Sequence, residues 1–159
     1  MIGFLIAILI FNTVAFSTNR RLTINQIVHI WLFTISLQTL VDVYVDIKYH
    51  GYWYFKKGID WLAIPTIIFI VPPVNMMFLN WFPLEKSLRQ RILYFSAWYF
   101  SILFYETLTL LPEPWGYFHY GWWNLGYSAL VDPFLLLTLL YFYKWVCRWE
   151  KMAVNNQEM

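Results

Sequence analysis

The sequence predicts an all-α protein, a polytopic membrane helix bundle of about five transmembrane helices, with the N-terminus outside and the C-terminus cytoplasmic. Three observations predict it. The 159 residues are 60% hydrophobic and 13% charged, whereas a soluble domain carries about 25% charged residues to make a polar surface. Ten Trp and twelve Tyr suit the headgroup region, where one side of an aromatic ring stays dry and the other wet. Apolar stretches near the length of a span, about 20 residues, recur along the whole chain.

The first stretch, residues 2–17, is short and uncharged. It lacks the basic n-region of a signal peptide, since Arg20 and Arg21 follow it, so it is read as a retained helix. The second, residues 24–46, opens on Thr23-Ile24-Asn25-Gln26, a capping box. The third, residues 61–82, contains Pro65 and the pair Pro72-Pro73. Proline removes a backbone donor and crowds the preceding turn, so a kink or break near mid-span is expected in preference to a re-entrant hairpin. The fourth, residues 92–111, follows a second capping box at Ser87-Leu88-Arg89-Gln90, and the fifth, residues 122–146, should kink at Asp132-Pro133. Residues 1–150 thus read as one transmembrane domain and residues 151–159 as a short, polar, disordered tail.

Orientation follows from Lys and Arg in the short connections. One side receives Arg20, Arg21, Lys86, Arg89, Arg91, Lys144, Arg148 and Lys151, and the other only Lys48, Lys56 and Lys57. Net charge is +2, too little for a nucleic-acid footprint. The single cysteine, Cys147, excludes an intrachain disulfide and a multi-cysteine metal site.

The two connections on the poorly charged side are aromatic where loops are ordinarily polar. Residues 49–57 and 112–123 carry Tyr49, Tyr52, Trp53, Tyr54, Phe55, Trp115, Tyr117, Phe118, Tyr120, Trp122 and Trp123. One reading is an aromatic belt. The other is a cap folded over the bundle, its turns shaped by glycine and proline. Similar composition in the two segments hints at a repeat.

Polar residues within the spans can be ranked by depth from a rise of about 1.5 Å per residue. Asp132 and Asn12 fall near the middle, Glu106 and Gln38 in the outer half, and Asp42 nearer the outer edge. Together with Trp115, Tyr117 and His119 of the cap they form a candidate ligand-binding set. His29 and Asn75 form a second, inner polar layer and are expected to meet. Asp46 and Asp60 are expected at the interface, solvated. No Lys or Arg lies deep in a span to neutralise the acids, and an ionised carboxylate at mid-bilayer costs about 2.5–3.5 kcal/mol on insertion scales. Three outcomes relieve that cost: the acids are protonated, since burial in low dielectric disfavours the charged form, they are hydrogen-bonded helix glue, or they line a watery pocket for a cation, a proton or an amphipathic molecule. Asp132 and Glu106, on consecutive helices, are expected to share one cavity.

Other chemistry finds little support. His50, Asp60, Glu113 and His119 match no zinc-ligand spacing, and phosphate loops, dinucleotide fingerprints, HExxH and nucleophile elbows are absent from the sequence. No metal or cofactor is expected. Thr23 to Trp31, Pro72 to Pro83 and Leu111 to Asn124 are similar to segments of a family of small multi-pass membrane proteins from Bacillus- and Clostridium-type spore-forming bacteria. That resemblance spans nearly the whole chain and implies a bacterial cytoplasmic membrane. It assigns no activity and no residue roles. Three functions are consistent with the residues: binding or transport of a cation or amphipathic molecule beneath the cap, a structural or accessory membrane subunit, and an intramembrane enzyme acting on a lipid or isoprenoid. The lipid bilayer is the expected partner. Transport would also call for a homo-oligomer or another membrane protein, because one small chain leaves little room for alternating access.

Overall fold

The structure, a computed structural model, describes residues 1–157. Helices dominate it. They are α1 (Ile2–Ser17), α2 (Ile24–Asp42) running on into a π-helical turn (Val43–Lys48), α3 (Ile64–Phe69) entered through a 3₁₀ turn (Trp61–Ala63), α4 (Val71–Trp81), α5 (Leu88–Thr109) and α6 (Leu125–Gln157). Two short strands, β1 (Tyr52–Trp53) and β2 (His119–Tyr120), complete the fold. All-α is thus the class. Three helical segments, Ile24–Lys48, Trp61–Trp81 and Leu125–Asn156, are long and apolar enough to cross a membrane, and α1 is a shorter apolar helix. The long α5 falls short in composition, because Arg89, Arg91, Glu106 and several hydroxyl-bearing side chains dilute its apolar residues.

Both capping boxes form. Thr23 Oγ1 accepts from Gln26 N at 3.2 Å while Gln26 Oε1 accepts from Thr23 N, and Ser87 and Gln90 exchange the same pair of bonds. The N-terminus of α2 gains a further anion, since the Glu150 carboxylate of α6 accepts from Asn25 Nδ2 (2.6 Å) and Gln26 Nε2 (2.5 Å). Negative charge at that end complements the helix dipole. This clasp helps explain why the expected disordered tail is wrong: α6 continues through Gln157, and only residues 158 and 159 lie outside the described residues.

The helix break arrives where the prolines demand it, and its cost is met by tertiary contacts. Pro72 and Pro73 have no N–H, so the carbonyls one turn earlier, Ile68 and Phe69, lose their helical donors. Trp31 Nε1 donates to Ile68 O at 3.2 Å and Asn12 Nδ2 to Phe69 O at 2.7 Å. Pro133 likewise strips Ala129 O, and Tyr99 Oη donates there at 3.0 Å. Here α6 stays one helix instead of breaking. Tyr99→Phe should therefore leave a carbonyl unpaired and cost about 1 kcal/mol, read as a lowered thermal midpoint in detergent. An unchanged midpoint would mean that water or a shifted helix satisfies Ala129 O.

Helices α2 and α4 form the central pair, with α1 against α4, α6 against α2 and α5 against α6. Turns at one end carry most of the cations. There Arg21 donates to Phe82 O (2.7 Å) and Leu79 O, the free carbonyls at the end of α4, while Asn80 ties α4 to the α1–α2 turn. The other end carries the aromatic connections, which pair with one another. Strands β1 and β2 run antiparallel with Tyr52 opposite Tyr120 and Trp53 opposite His119. Gly51 O also accepts from Gly121 N (2.7 Å) and Trp123 N (3.0 Å). The core accordingly has two parts. One, around Ile30, Met76, Phe78, Leu79 and Leu139, packs the basic half. The other, around Phe4, Tyr52, Tyr54, Ile70 and Tyr117, packs under the strands.

Candidate functional site: a carboxyl-lined cavity beneath the cap

Between those two cores lies a cavity with two adjoining lobes. The lobe under the cap is about 220 Å³ and includes Gln38, Thr66, Tyr105, Glu106, Ser128 and Asp132 in its wall. The second lobe, about 370 Å³, runs toward the basic half past Phe33, Leu37, Val74, Trp98, Leu136 and Leu139. Gln38, Ile70, Tyr105 and Asp132 belong to both walls. Asp132 therefore stands in the wall that the two lobes share, and both lobes are mostly apolar.

The two carboxyls differ in how well they are satisfied. Glu106 Oε1 accepts from Tyr120 Oη at 2.5 Å and Ser128 Oγ at 2.6 Å, and Ser128 Oγ in turn accepts from Trp123 Nε1 at 2.9 Å. This chain ties α5, α6 and the second aromatic connection together. By contrast, Asp132 Oδ2 is buried and finds no hydrogen-bond partner among the described residues. Two more buried, unpaired atoms belong to residues of the same walls: Thr66 Oγ1 in the cap lobe and Trp98 Nε1 in the second lobe. Buried polar atoms are nearly always paired, and each exception calls for an explanation. Three of them thus belong to residues that line this one cavity.

The roof of the site is phenolic. Tyr52 Oη donates to Asp42 Oδ1 at 2.5 Å, and Gln38 Nε2 donates to the same oxygen at 2.9 Å and to Tyr54 Oη at 3.3 Å. Tyr117 and Tyr105 share a hydroxyl–hydroxyl bond of 2.8 Å. Burial pushes the Tyr52, Tyr54 and Tyr117 phenols far above their ordinary range, so they stay protonated and serve as hydrogen-bond donors.

The structure brings together only part of the set expected from sequence. Asp132, Glu106, Gln38 and Tyr117 line the cavity. Asp42 is buried behind it, reached through Gln38 and Tyr52. Asn12 is not a site residue, being spent on the carbonyl freed by Pro73. His119 is exposed and stacks on Trp53, ring centres 6.0 Å apart, on the outer side of the strand pair. Trp115 is exposed and borders a separate groove between α1 and α5.

The inner layer also needs correcting. Asn75 donates to Thr34 Oγ1 at 3.0 Å, not to His29, which bonds the Asn25 carbonyl within its own helix. Counting depth along a straight third helix misplaced Asn75, because a new helix starts after Ile70 and turns that residue toward Thr34. Asp46 was expected to be solvated and is buried. It stands one turn beyond Asp42 on the same inward face, and the chain folds back over it through His50 N, which donates to Asp46 O at 2.9 Å. Asp60 is an N-cap: its oxygens accept from Leu62 N and Lys56 N.

Sequence reasoning passed over Thr66, Trp98, Tyr105 and Ser128. Ser128 carried a signal, standing four residues before Asp132 and so on the same helical face. Among the described residues no three His, Cys, Asp or Glu side chains form a group that could hold a metal ion. Compared with protein-family models, curated proteins and solved structures, the chain matches none of them. Fold and site together define an all-helical bundle closed at one end by an aromatic cap over a carboxyl-lined cavity.

Proposed function

We propose that the protein is a multi-pass protein of a bacterial cytoplasmic membrane that binds a small cationic amphiphile, an organic ammonium with an apolar body, in the cavity beneath the cap. Asp132 carries the reading. Asp132 lines both lobes, one of its oxygens is buried without a partner among the described residues, and no Lys or Arg lines either lobe. An ammonium group there would donate to Asp132 and rest against aromatic walls, where cation–π attraction adds about 0.5–2 kcal/mol. The larger lobe, walled mostly by apolar side chains, would receive the rest of the molecule. Helix glue accounts for Glu106, whose Oε1 accepts two hydrogen bonds. Asp42 accepts two at Oδ1 but leaves Oδ2 unpaired behind the cavity, whereas Asp132 lines the cavity itself and has an unpaired buried oxygen.

The membrane reading rests on three spanning-length apolar helices, supplemented by α1 and α5. The cap end faces outward in this proposal, with eight of the eleven Lys and Arg left for the cytoplasmic side. Cysteines placed at Ile59 and Glu85 in a Cys147→Ser background should then react with an impermeant maleimide from opposite sides, Ile59 from outside. Reaction from one side only would sink the five-span topology.

The binding reading is tested with octylammonium. Protein purified in a neutral detergent should gain thermal stability as octylammonium rises, by about 2.7 kcal/mol at a hundredfold excess over the dissociation constant. The uncharged 1-octanol should give much less. Equal stabilisation by the two, or none by either, would overturn the proposal.

A further inference from the structure

At the cationic end of the bundle the last turns of α6 carry a column of positive charge. Lys144, Arg148 and Lys151 stand at the i, i+4 and i+7 spacing that places side chains on one helical face. All three are exposed, and they line one open groove of about 360 Å³ between α6 and the turn that precedes α5. The rest of the wall includes Leu84, Tyr143 and Met152, and no Asp or Glu. Like charges one turn apart on a helix repel, so an anion against the column stabilises it.

The chain's own acids are placed elsewhere. Glu150 is the one acid of α6 beyond Pro133, and its carboxylate accepts from Thr23, Asn25 and Gln26 at the start of α2. Glu85, next to Leu84 in sequence, is exposed and lies outside the groove wall. A further cation stands close by, since the Arg21 guanidinium lies over the Tyr143 ring, 5.9 Å from its centre.

Depth indicates which anion the column meets. Helix α6 has 33 residues, a length of about 50 Å against a hydrocarbon core of about 30 Å. Leu125 to Lys144 alone spans about 28 Å, so a helix that enters the hydrocarbon just after Asn124 leaves it at Lys144. Arg148 and Lys151 then stand about 6 and 10 Å further out, in the layer that holds phospholipid headgroups. Trp145 and Trp149, exposed on the same turns, suit that layer too.

We propose that this groove binds one anionic phospholipid of the adjoining leaflet through its headgroup phosphodiester. Arg148, at the centre of the column, offers the two-pronged guanidinium contact that matches a phosphate, and the two lysines add charge. Leu84 and Met152 meet the start of the acyl chains. A zwitterionic headgroup is selected against, because its own ammonium stands among like charges. The groove shares no wall residue with the Asp132 cavity, so of the reading above it rests only on placement in a membrane.

The test is a lipid titration in neutral detergent, with one-lipid complexes counted by native mass spectrometry. Dioleoylphosphatidylglycerol is the anionic lipid and dioleoylphosphatidylcholine the zwitterionic one, while glycerol 3-phosphate supplies phosphate without acyl chains. Wild type should saturate at one tightly held phosphatidylglycerol. Arg148→Gln with Lys151→Gln should weaken that binding about thirtyfold. Lys86→Gln with Arg89→Gln removes two cations from outside the groove and should leave it unchanged. All four side chains are exposed, so neither pair disturbs the packed core. Equal weakening by the two pairs would overturn the proposal, because total charge and not the groove would then decide binding. Phosphatidylcholine or glycerol 3-phosphate bound as tightly as phosphatidylglycerol would overturn it as well. These outcomes are independent of the octylammonium test of the cavity and of the maleimide reaction that reports topology.

Discussion

Gly121→Ala should destabilise the protein by about 3 kcal/mol, the range in which an added methyl forces backbone to move. A Cβ on Gly121 would lie 2.2 Å from the carbonyl oxygen of His50, a main-chain atom of the opposite connection. That approach exists because Gly121 N donates to Gly51 O at 2.7 Å, pinning the second aromatic segment on the first. Relief of the clash would separate the strands and loosen Tyr52, Tyr117 and Tyr120 from the roof of the cavity. Gly58→Ala is the control. Gly58 has φ of 90° with open space around it, so alanine there brings backbone strain alone, about 1–2 kcal/mol. Thermal melts of both variants in one detergent would measure the difference. Equal losses would show that the cap tolerates separation of its strands and is not a rigid roof.

Local signals were legible in the sequence and long-range pairings were not. Thr23 with Gln26 and Ser87 with Gln90 announce helix starts because both partners lie within one turn. The break at Pro72-Pro73 is equally local, a consequence of two missing donors. Which side chains would repair it was hidden. Trp31 and Asn12 come from two other helices, and only tertiary packing brings them to those carbonyls. Asn12 was therefore ranked by depth beside Asp132 although its amide is used elsewhere. The cap was legible as composition, an excess of aromatic residues, and not as topology. Nothing within residues 49–57 specifies that their strand partner lies beyond residue 118.

The same distinction explains the residues that were missed. Thr66 and Trp98 matter because their polar atoms are unpaired, and lack of a partner can only be seen once every neighbour is placed. Asp132 was singled out from charge and depth alone, since a carboxyl amid apolar residues is costly wherever the helix packs, and it lies in the wall of both lobes. Glu106 was selected on the same ground. Its Tyr120 and Ser128 donors give it a role that charge and depth do not reveal.

Asp132 and Glu106 should accordingly separate under mutation. Asp132→Asn keeps the side-chain shape, and no hydrogen bond to the buried Oδ2 is lost because none is made among the described residues. It should melt close to wild type and lose the octylammonium-dependent gain, about 2.7 kcal/mol at a hundredfold excess. Glu106→Gln keeps a carbonyl oxygen able to accept from Tyr120 and Ser128. It should fold nearly as well and retain most of the ligand-dependent gain, with its charge acting on the ligand only from across the cavity. Glu106→Leu removes the acceptor and leaves two hydroxyls facing a hydrocarbon side chain. Unpaired buried groups cost about 1–3 kcal/mol each, so with two of them this variant should lose about 2–6 kcal/mol and melt well below wild type without ligand. Thermal melts of all three, with and without octylammonium, read both quantities in one titration. Should Asp132→Asn keep the full gain while Glu106→Gln abolishes it, the binding carboxyl would be Glu106, and its bonds to the cap would be part of the site and not its scaffold. Full gain in both variants would return the two acids to the role of helix glue.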